Sequence, residues 1–142
     1  MKLLVPAGLL ERIRGHGESA YPEECCGLLI GHDRSDHSLT VTNLVPTRNV
    51  AQDRRCHFEV DPTVHLRWQR DLRGTRHRIV GHYHSHPDGQ AEPSPCDRAN
   101  IVDGDLVWVI LSVASGVAGQ RPTAWYPVPG EQRFQAVEMV IR

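Results

Sequence analysis

No stretch of this chain approaches the roughly 20 consecutive apolar residues that a membrane-crossing helix needs. The opening Met1-Lys2-Leu3-Leu4-Val5-Pro6 is apolar but too short for a secretory signal, and Glu11-Arg12-Ile13-Arg14 follows it closely. A membrane partner is therefore not expected. The chain also lacks charge of one sign: 16 basic residues, almost all arginine, face 17 acidic ones, for a net charge of −1. That removes any general electrostatic case for nucleic-acid binding. Cysteine is sparse, at four residues, and Cys25 and Cys26 are adjacent, which disfavours a disulfide between them. Reduced thiols in a cytoplasmic setting are the simplest account. No internal repeat or linker interrupts the 142 residues, and 39% hydrophobic content suffices for one core, so a single domain over 1–142 is expected.

Histidine, by contrast, is abundant and clustered. The run Gly81-His82-Tyr83-His84-Ser85-His86-Pro87 reads as a strand that enters a turn, followed by Ser94 and Asp97. Alternate residues of a strand point to one face, so His84 and His86 can reach one ion from one side. Pro87 ends the ladder. Ser94 reads as a helix N-cap, with Pro95 at the first helical position and Asp97 in the first turn. A helix start beside a strand end would return Asp97 to the histidines. Two imidazoles and a carboxylate supply three protein ligands to zinc. Three ligands plus water is the arrangement of a catalytic zinc, whereas a structural zinc is closed by four.

Singly, each residue has an ordinary explanation. Asp97 favours a helix N-terminus through the dipole, and Ser94 is a cap. Their joint spacing with two histidines is what points to a metal.

The order Glu, then His-Ser-His-Pro, six residues, Ser, two residues and Asp resembles the JAMM (MPN+ or JAB) metallopeptidase motif. The remote glutamate stands three residues before the glycine of Glu24-Cys25-Cys26-Gly27-Leu28-Leu29-Ile30-Gly31. The resemblance runs from about Pro22 to at least Leu111. Phe58-Glu59-Val60-Asp61-Pro62 looks most like the small stand-alone prokaryotic branch. The resemblance implies one Zn2+ per chain on His84, His86 and Asp97, Glu24 as general base and acid, and Ser94 as the group that stabilises the oxyanion. These roles suit the chemistry: zinc lowers the pKa of water to about 7, a nearby carboxylate moves the proton, and an aimed hydroxyl offsets developing charge.

Other residues compete for these roles. Glu23 adjoins Glu24; the motif offset selects Glu24, and adjacent strand residues face opposite ways, which leaves Glu23 as a solvated charge. His82 shares the face of His84 and His86 and is read as a hydrogen-bonded neighbour of the site. Cys96 is a possible competing ligand, though a buried apolar role is preferred. The remaining histidines are scattered and Cys56 has no evident role. Arg67, Arg70, Arg73, Arg76 and Arg78 form a basic cluster, read as the solvated face of a helix, with a docking surface as the alternative.

The coarse pattern is α/β (α+β). It predicts a helix over Pro6–Gly15, strands at Cys26–Gly31 and Ser38–Val45, a polar connection over Asn43–Cys56 bordering a groove, and a helix from Asp61 to about Arg73. A strand at Arg78–His84, a short helix at Ser94–Val102, and strands at Asp105–Val113, Thr123–Val128 and Gln132–Ile141 follow, with a turn at Ala114–Gln120. The resemblance implies a mostly antiparallel or mixed sheet flanked by helices, of cytidine-deaminase-like MPN/JAB architecture, with zinc at one end.

It also implies hydrolysis of a peptide or isopeptide bond at the C-terminus of a ubiquitin-like or sulfur-carrier protein with a Gly-Gly tail. An extended tail of that kind can add to a sheet edge. Two alternatives stand beside this: a zinc hydrolase with a small-molecule substrate, and a non-catalytic MPN scaffold. A zinc deaminase is disfavoured, because Pro95-Cys96 lacks the second cysteine of that signature.

Overall fold

In the computed structural model, which describes residues 1–101 and 105–142, the described residues form eight strands and three helices. They are β1 (Lys2–Val5), α1 (Ala7–Ala20), β2 (Cys26–Asp33), β3 (Leu39–Thr47), α2 (Pro62–Asp71), β4 (Arg78–Pro87), α3 (Pro95–Ala99), β5 (Val107–Ala114), β6 (Val117–Ala118), β7 (Thr123–Pro127) and β8 (Phe134–Ile141). The sheet order is β4-β2-β3-β1-β8-β7-β5-β6, and β5 also pairs with β4, so seven strands close into a ring. β1 is parallel to β3 and β8, and β4 is parallel to β5; the other pairings are antiparallel. The expected mixed, mostly antiparallel sheet with flanking helices is what the chain forms.

Two apolar cores flank the sheet. Beneath α1, Leu10 and Ile13 pack with Leu29, Tyr83, Leu111 and Val113. Beneath α2, Val64, Trp68 and Leu72 cover Leu28, Ile30, Ile79 and Leu106. Asp61 caps α2, its side chain accepting from the Thr63 N–H at 2.9 Å, with Pro62 in the first turn. Arg67, Arg70, Arg73 and Arg76 are exposed, as a solvated face requires, and Arg78 pairs with Asp33 at 3.0 Å.

Three elements depart from the sequence reading. The N-terminal segment is not an idle apolar start but β1, whose Leu3, Leu4 and Val5 are buried between two parallel neighbours. Helix α1 runs five residues past Gly15. Gly17, a poor helix former, is needed there because a Cβ would overlap Leu111. The helix carrying Asp97 is only Pro95–Ala99, and the expected end at Val102 lies outside the described residues. Among the described residues no helix is long and apolar enough to cross a membrane.

The register sets the site. β4 lies between β2 and β5, with Cys26 opposite His84 and His84 opposite Ile110. The segment before β2 therefore meets the end of β4 where the histidines stand. Two contacts lock that meeting: the Cys25 N–H donates to Ser85 Oγ at 2.8 Å, and the Ser85 N–H donates to the Cys25 carbonyl at 3.2 Å. Gly27 is required beside it, since a Cβ would overlap the buried Tyr83 ring.

Candidate metal centre

His84, His86 and Asp97 converge. His84 Nε2 lies 3.0 Å from His86 Nε2 and 3.2 Å from Asp97 Oδ1, and His86 Nε2 lies 3.1 Å from Asp97 Oδ2. His84 and Asp97 are buried. Period two along β4 aims both rings the same way, as the strand pattern implied. Asp97 returns through a capping box. Ser94 Oγ accepts from the Asp97 N–H at 3.0 Å, and the Ser94 N–H donates to Asp97 Oδ2 at 2.9 Å.

One contact decides what these atoms can hold. His86 Nδ1 lies 2.7 Å from the Gln90 carbonyl oxygen. A carbonyl has no proton, so Nδ1 carries it. In the neutral ring Nε2 is then a bare lone pair. That lone pair points at a carboxylate and a second imidazole nitrogen, so three donor atoms converge on one place that a proton or a cation can occupy. The donor set of two nitrogens and one oxygen suits zinc and kindred divalent ions. The Gln90 carbonyl supplies the outer partner that metal-bound histidines ordinarily have.

The electrostatics agree. Burial pulls the His84 imidazole below its ordinary value, which keeps it neutral and able to ligate. Burial pushes the Asp97 carboxyl up, but hydrogen bonds from His84 and His86 outweigh it and hold the group well below the usual carboxylate range. Burial likewise pulls His86 down, but Asp97 and the Gln90 carbonyl outweigh it and raise it, so without an ion His86 Nε2 can hold a proton toward Asp97 in the place a cation would take.

Glu24 stands at the same end. It lies in the irregular segment ahead of β2, not on the strand, so strand alternation is not what separates it from Glu23. The segment is fixed instead by the Glu24 N–H donating to the Arg54 carbonyl at 2.7 Å and by Asn49 Nδ2 donating to the Glu24 carbonyl at 3.0 Å. Glu24 is thereby buried, while Glu23 pairs with Arg54 at 3.1 Å. Glu24 Oε1 is buried with no hydrogen-bond partner. Burial pushes the carboxyl up to about 8; His86 opposes this, and Asp97 and Asp53 add to it.

Beside these residues lies a cavity of about 660 Å³, floored by Leu28, Val60, Leu106 and Trp108. The expected polar connection does border it, through Ala51, Gln52 and Asp53. His82 lines it with an unpartnered Nδ1, and burial draws its imidazole down to about 3. Cys96 lines it too but is not among the converging donors; Asn100 donates to its sulfur. Burial pushes the Cys25 thiol up to about 12 and the Cys26 thiol up to about 11, which suits core packing and not reactivity.

Sequence reasoning missed Phe58. Its ring stacks on His84, with centroids 4.1 Å apart and planes 16° apart, and Trp108 meets His84 edge-on. It missed also that Cys56 and His57 gather with Asp53, the other three-donor cluster among the described residues. The one local signal was the i, i+3, i+4 spacing of Asp53, Cys56 and His57.

Comparison with known proteins bears on all of this. The model of the prokaryotic homologs of the JAB domain matches residues 6–127. The chain belongs to that family. Among curated relatives of this JAB chain, tail tip assembly protein K of Escherichia phage N15 is 31% identical over 110 residues, covering 75% of this chain and 40% of the relative. The desampylase of Haloferax volcanii is 34% identical over 91 residues, covering 64% of this chain and 63% of the relative. The probable TtuB-protein conjugate cleaving protease of Thermus thermophilus is 35% identical over 119 residues, covering 84% and 73%. The chain thus spans less than two thirds of the first two relatives. A Desulfitobacterium hafniense protein of known solution structure shares the JAB chain's fold. Its TM-score is 0.81 and its identity 27%, over 99% of this chain and 92% of that one.

Proposed function

We propose that this JAB-family chain is a zinc-dependent metallopeptidase. Its substrate would be a ubiquitin-like or sulfur-carrier protein, cut at a peptide or isopeptide bond that follows a Gly-Gly tail. The observation that carries the reading is the convergence of His84 Nε2, His86 Nε2 and the Asp97 carboxylate, with the unpartnered Glu24 Oε1 at the same end of the sheet. The Thermus relative's name, a conjugate-cleaving protease, supports the class of bond.

His84, His86 and Asp97 would hold one Zn2+, which when bound would lower the pKa of water to about 7 and polarise a carbonyl. Glu24, as the carboxylate, takes the proton of the attacking water and passes it to the leaving amine. Burial raises its pKa above the ordinary carboxylate value, which makes it the stronger proton acceptor once ionised. Ser94 Oγ accepts from the Asp97 N–H, which leaves its hydroxyl proton to donate to the carbonyl oxygen as charge develops. Asp97 is positioned through the same capping box, so cap and chemistry share one serine.

The closed ring leaves main-chain groups for an extended tail on β3, since β1 pairs only with its Leu39 and Thr40 among the described residues. Beyond these, β3 leads to Thr47, opposite Cys26 and so toward Glu24. Addition of a substrate strand there is the mode we favour. The free thiols suit a reducing compartment such as the cytoplasm.

The test is a panel of small carrier proteins that end in Gly-Gly, each extended by one residue or joined to a lysine side chain, with loss of tail mass as readout. Cleavage after Gly-Gly that is abolished by a chelator and by Glu24→Gln supports the reading. Zinc-replete enzyme that leaves every carrier intact but hydrolyses small amides would replace it with the small-molecule alternative.

A further inference from the structure

The polar loop ahead of Phe58 holds a second set of convergent donors. The His57 N–H donates to the Asp53 carbonyl at 3.0 Å, closing one helical turn over residues 53–57. In such a turn, positions i, i+3 and i+4 share a side. Asp53, Cys56 and His57 are those positions. Cys56 Sγ lies 2.9 Å from Asp53 Oδ2 and 3.3 Å from His57 Nδ1. All three residues are exposed, and none belongs to the His84, His86 and Asp97 set.

We propose that Asp53, Cys56 and His57 form a second metal site, at the mouth of the cavity, for a borderline-soft divalent ion such as Zn2+. Carboxylate oxygen, thiolate sulfur and imidazole nitrogen are the three donor types that zinc accepts. Around a tetrahedral zinc such donors stand about 3.3–3.7 Å apart, by the usual bond lengths. The sulfur–nitrogen separation needs only a few tenths of an ångström of adjustment and the sulfur–oxygen one about half an ångström, within reach of exposed side chains. Without an ion the Cys56 S–H donates to Asp53, and His57 Nδ1 meets the same sulfur; one cation would take the place of these protons and hold all three groups. Loading breaks the Cys56 S–H bond; the proton leaves to solvent and the sulfur lone pair goes to the ion.

The turn is held before any ion arrives. Asn49 Nδ2 donates to the His57 carbonyl at 2.9 Å, and Asn49 Oδ1 accepts from the Ala51 and Glu59 N–H groups at 3.1 Å each. The neighbouring Arg54 is drawn off by Glu23. Asp53 and ionised Cys56 would carry two negative charges against the cation of Arg55. Asp53 and His57 also line the cavity that Asp97 and His82 line, so an ion here would border the same cavity as the first site. Three protein ligands leave it an open position toward solvent.

Cobalt distinguishes the two sites, because only a thiolate ligand gives a sulfur-to-Co(II) charge-transfer band in the near ultraviolet, and the first site has no sulfur. The full chain, stripped of metal and kept reduced by a phosphine, is titrated with Co2+ alone. Two ions per chain, one of them raising the thiolate band, are expected for the wild type. Cys56→Ser should bind one ion with no band, and the exposed position makes the substitution safe for folding. The double variant His84→Ala/His86→Ala should keep the band and lose the other ion. No band in the wild type, or a band that survives in Cys56→Ser, overturns the site. So does a band lost with the two histidines. Cobalt binding without sulfur that is unaltered in the double variant would instead refute the first site, leaving the second to stand or fall on its band.

Discussion

The His86 ring is fixed by a main-chain oxygen, that of Gln90, 2.7 Å from Nδ1. The loop that presents this oxygen is itself pinned by two side chains of the sheet. Ser112 Oγ donates to the Gly89 carbonyl at 2.6 Å, and Thr123 Oγ1 donates to the Ala91 carbonyl at 2.6 Å. Neither side chain is among the converging donors. The double variant Ser112→Ala/Thr123→Val should therefore weaken zinc binding about 10- to 100-fold, the usual cost of losing an outer partner. Competition with a chromogenic chelator measures this, and an unchanged affinity would show that the loop needs no such pinning.

Ser94 caps α3, and under the proposed mechanism it has a second, separable duty. As an N-cap, its replacement by Ala should cost about 1 kcal/mol of stability, while Gly should cost only a few tenths. As a hydroxyl donor, both replacements should slow turnover alike, by roughly 100-fold. Thermal denaturation and steady-state rates on the two variants separate the duties. Turnover that simply tracks stability would leave the serine with the cap alone.

Glu24 gives a pH signature in the metal-free protein. Burial raises its carboxyl from 4.5 to about 8, so over that interval the folded chain holds a proton the unfolded chain has lost. Holding it costs stability, which falls as pH rises from about 4.5 to about 8 and then levels off. The loss amounts to at most a few kcal/mol. Glu24→Gln cannot titrate and should flatten that fall. Melting curves of both proteins across the interval check it; parallel pH profiles would mean the carboxyl is solvated.

Gly27→Ala tests the register that brings Glu24 to the histidines. The added Cβ meets the Tyr83 ring, which hydrogen-bonds His16 at 2.7 Å and has little room to move. A loss of about 1–3 kcal/mol is expected from overpacking. Chemical denaturation measures it, and a neutral result would contradict the close β2–β4 contact.

What was legible in the sequence was local. Ser94, Pro95 and Asp97 announced a helix start because capping is settled within four residues, and His84 and His86 announced one face because strands alternate. Glu24 was legible only through its motif. Its burial depends on Asn49 and Arg54, some 25 and 30 residues away, which no local pattern reveals. Strand β1 escaped because four residues carry no periodicity, and its place depends on β3 and β8, both distant in the chain. Helix α1 continues past Gly15 because packing leaves room only for glycine at position 17 beside Leu111, a tertiary requirement that no local pattern reveals. Phe58 on His84 is a purely tertiary contact, delivered by a loop.

The central claim is a catalytic zinc on His84, His86 and Asp97. Its most direct test is zinc per chain by elemental mass spectrometry, measured in Cys56→Ser so that only this site counts, with and without Asp97→Ala. About one zinc in Cys56→Ser and almost none after Asp97→Ala is the predicted result. No zinc in Cys56→Ser after reconstitution, or equal zinc in both, would contradict it.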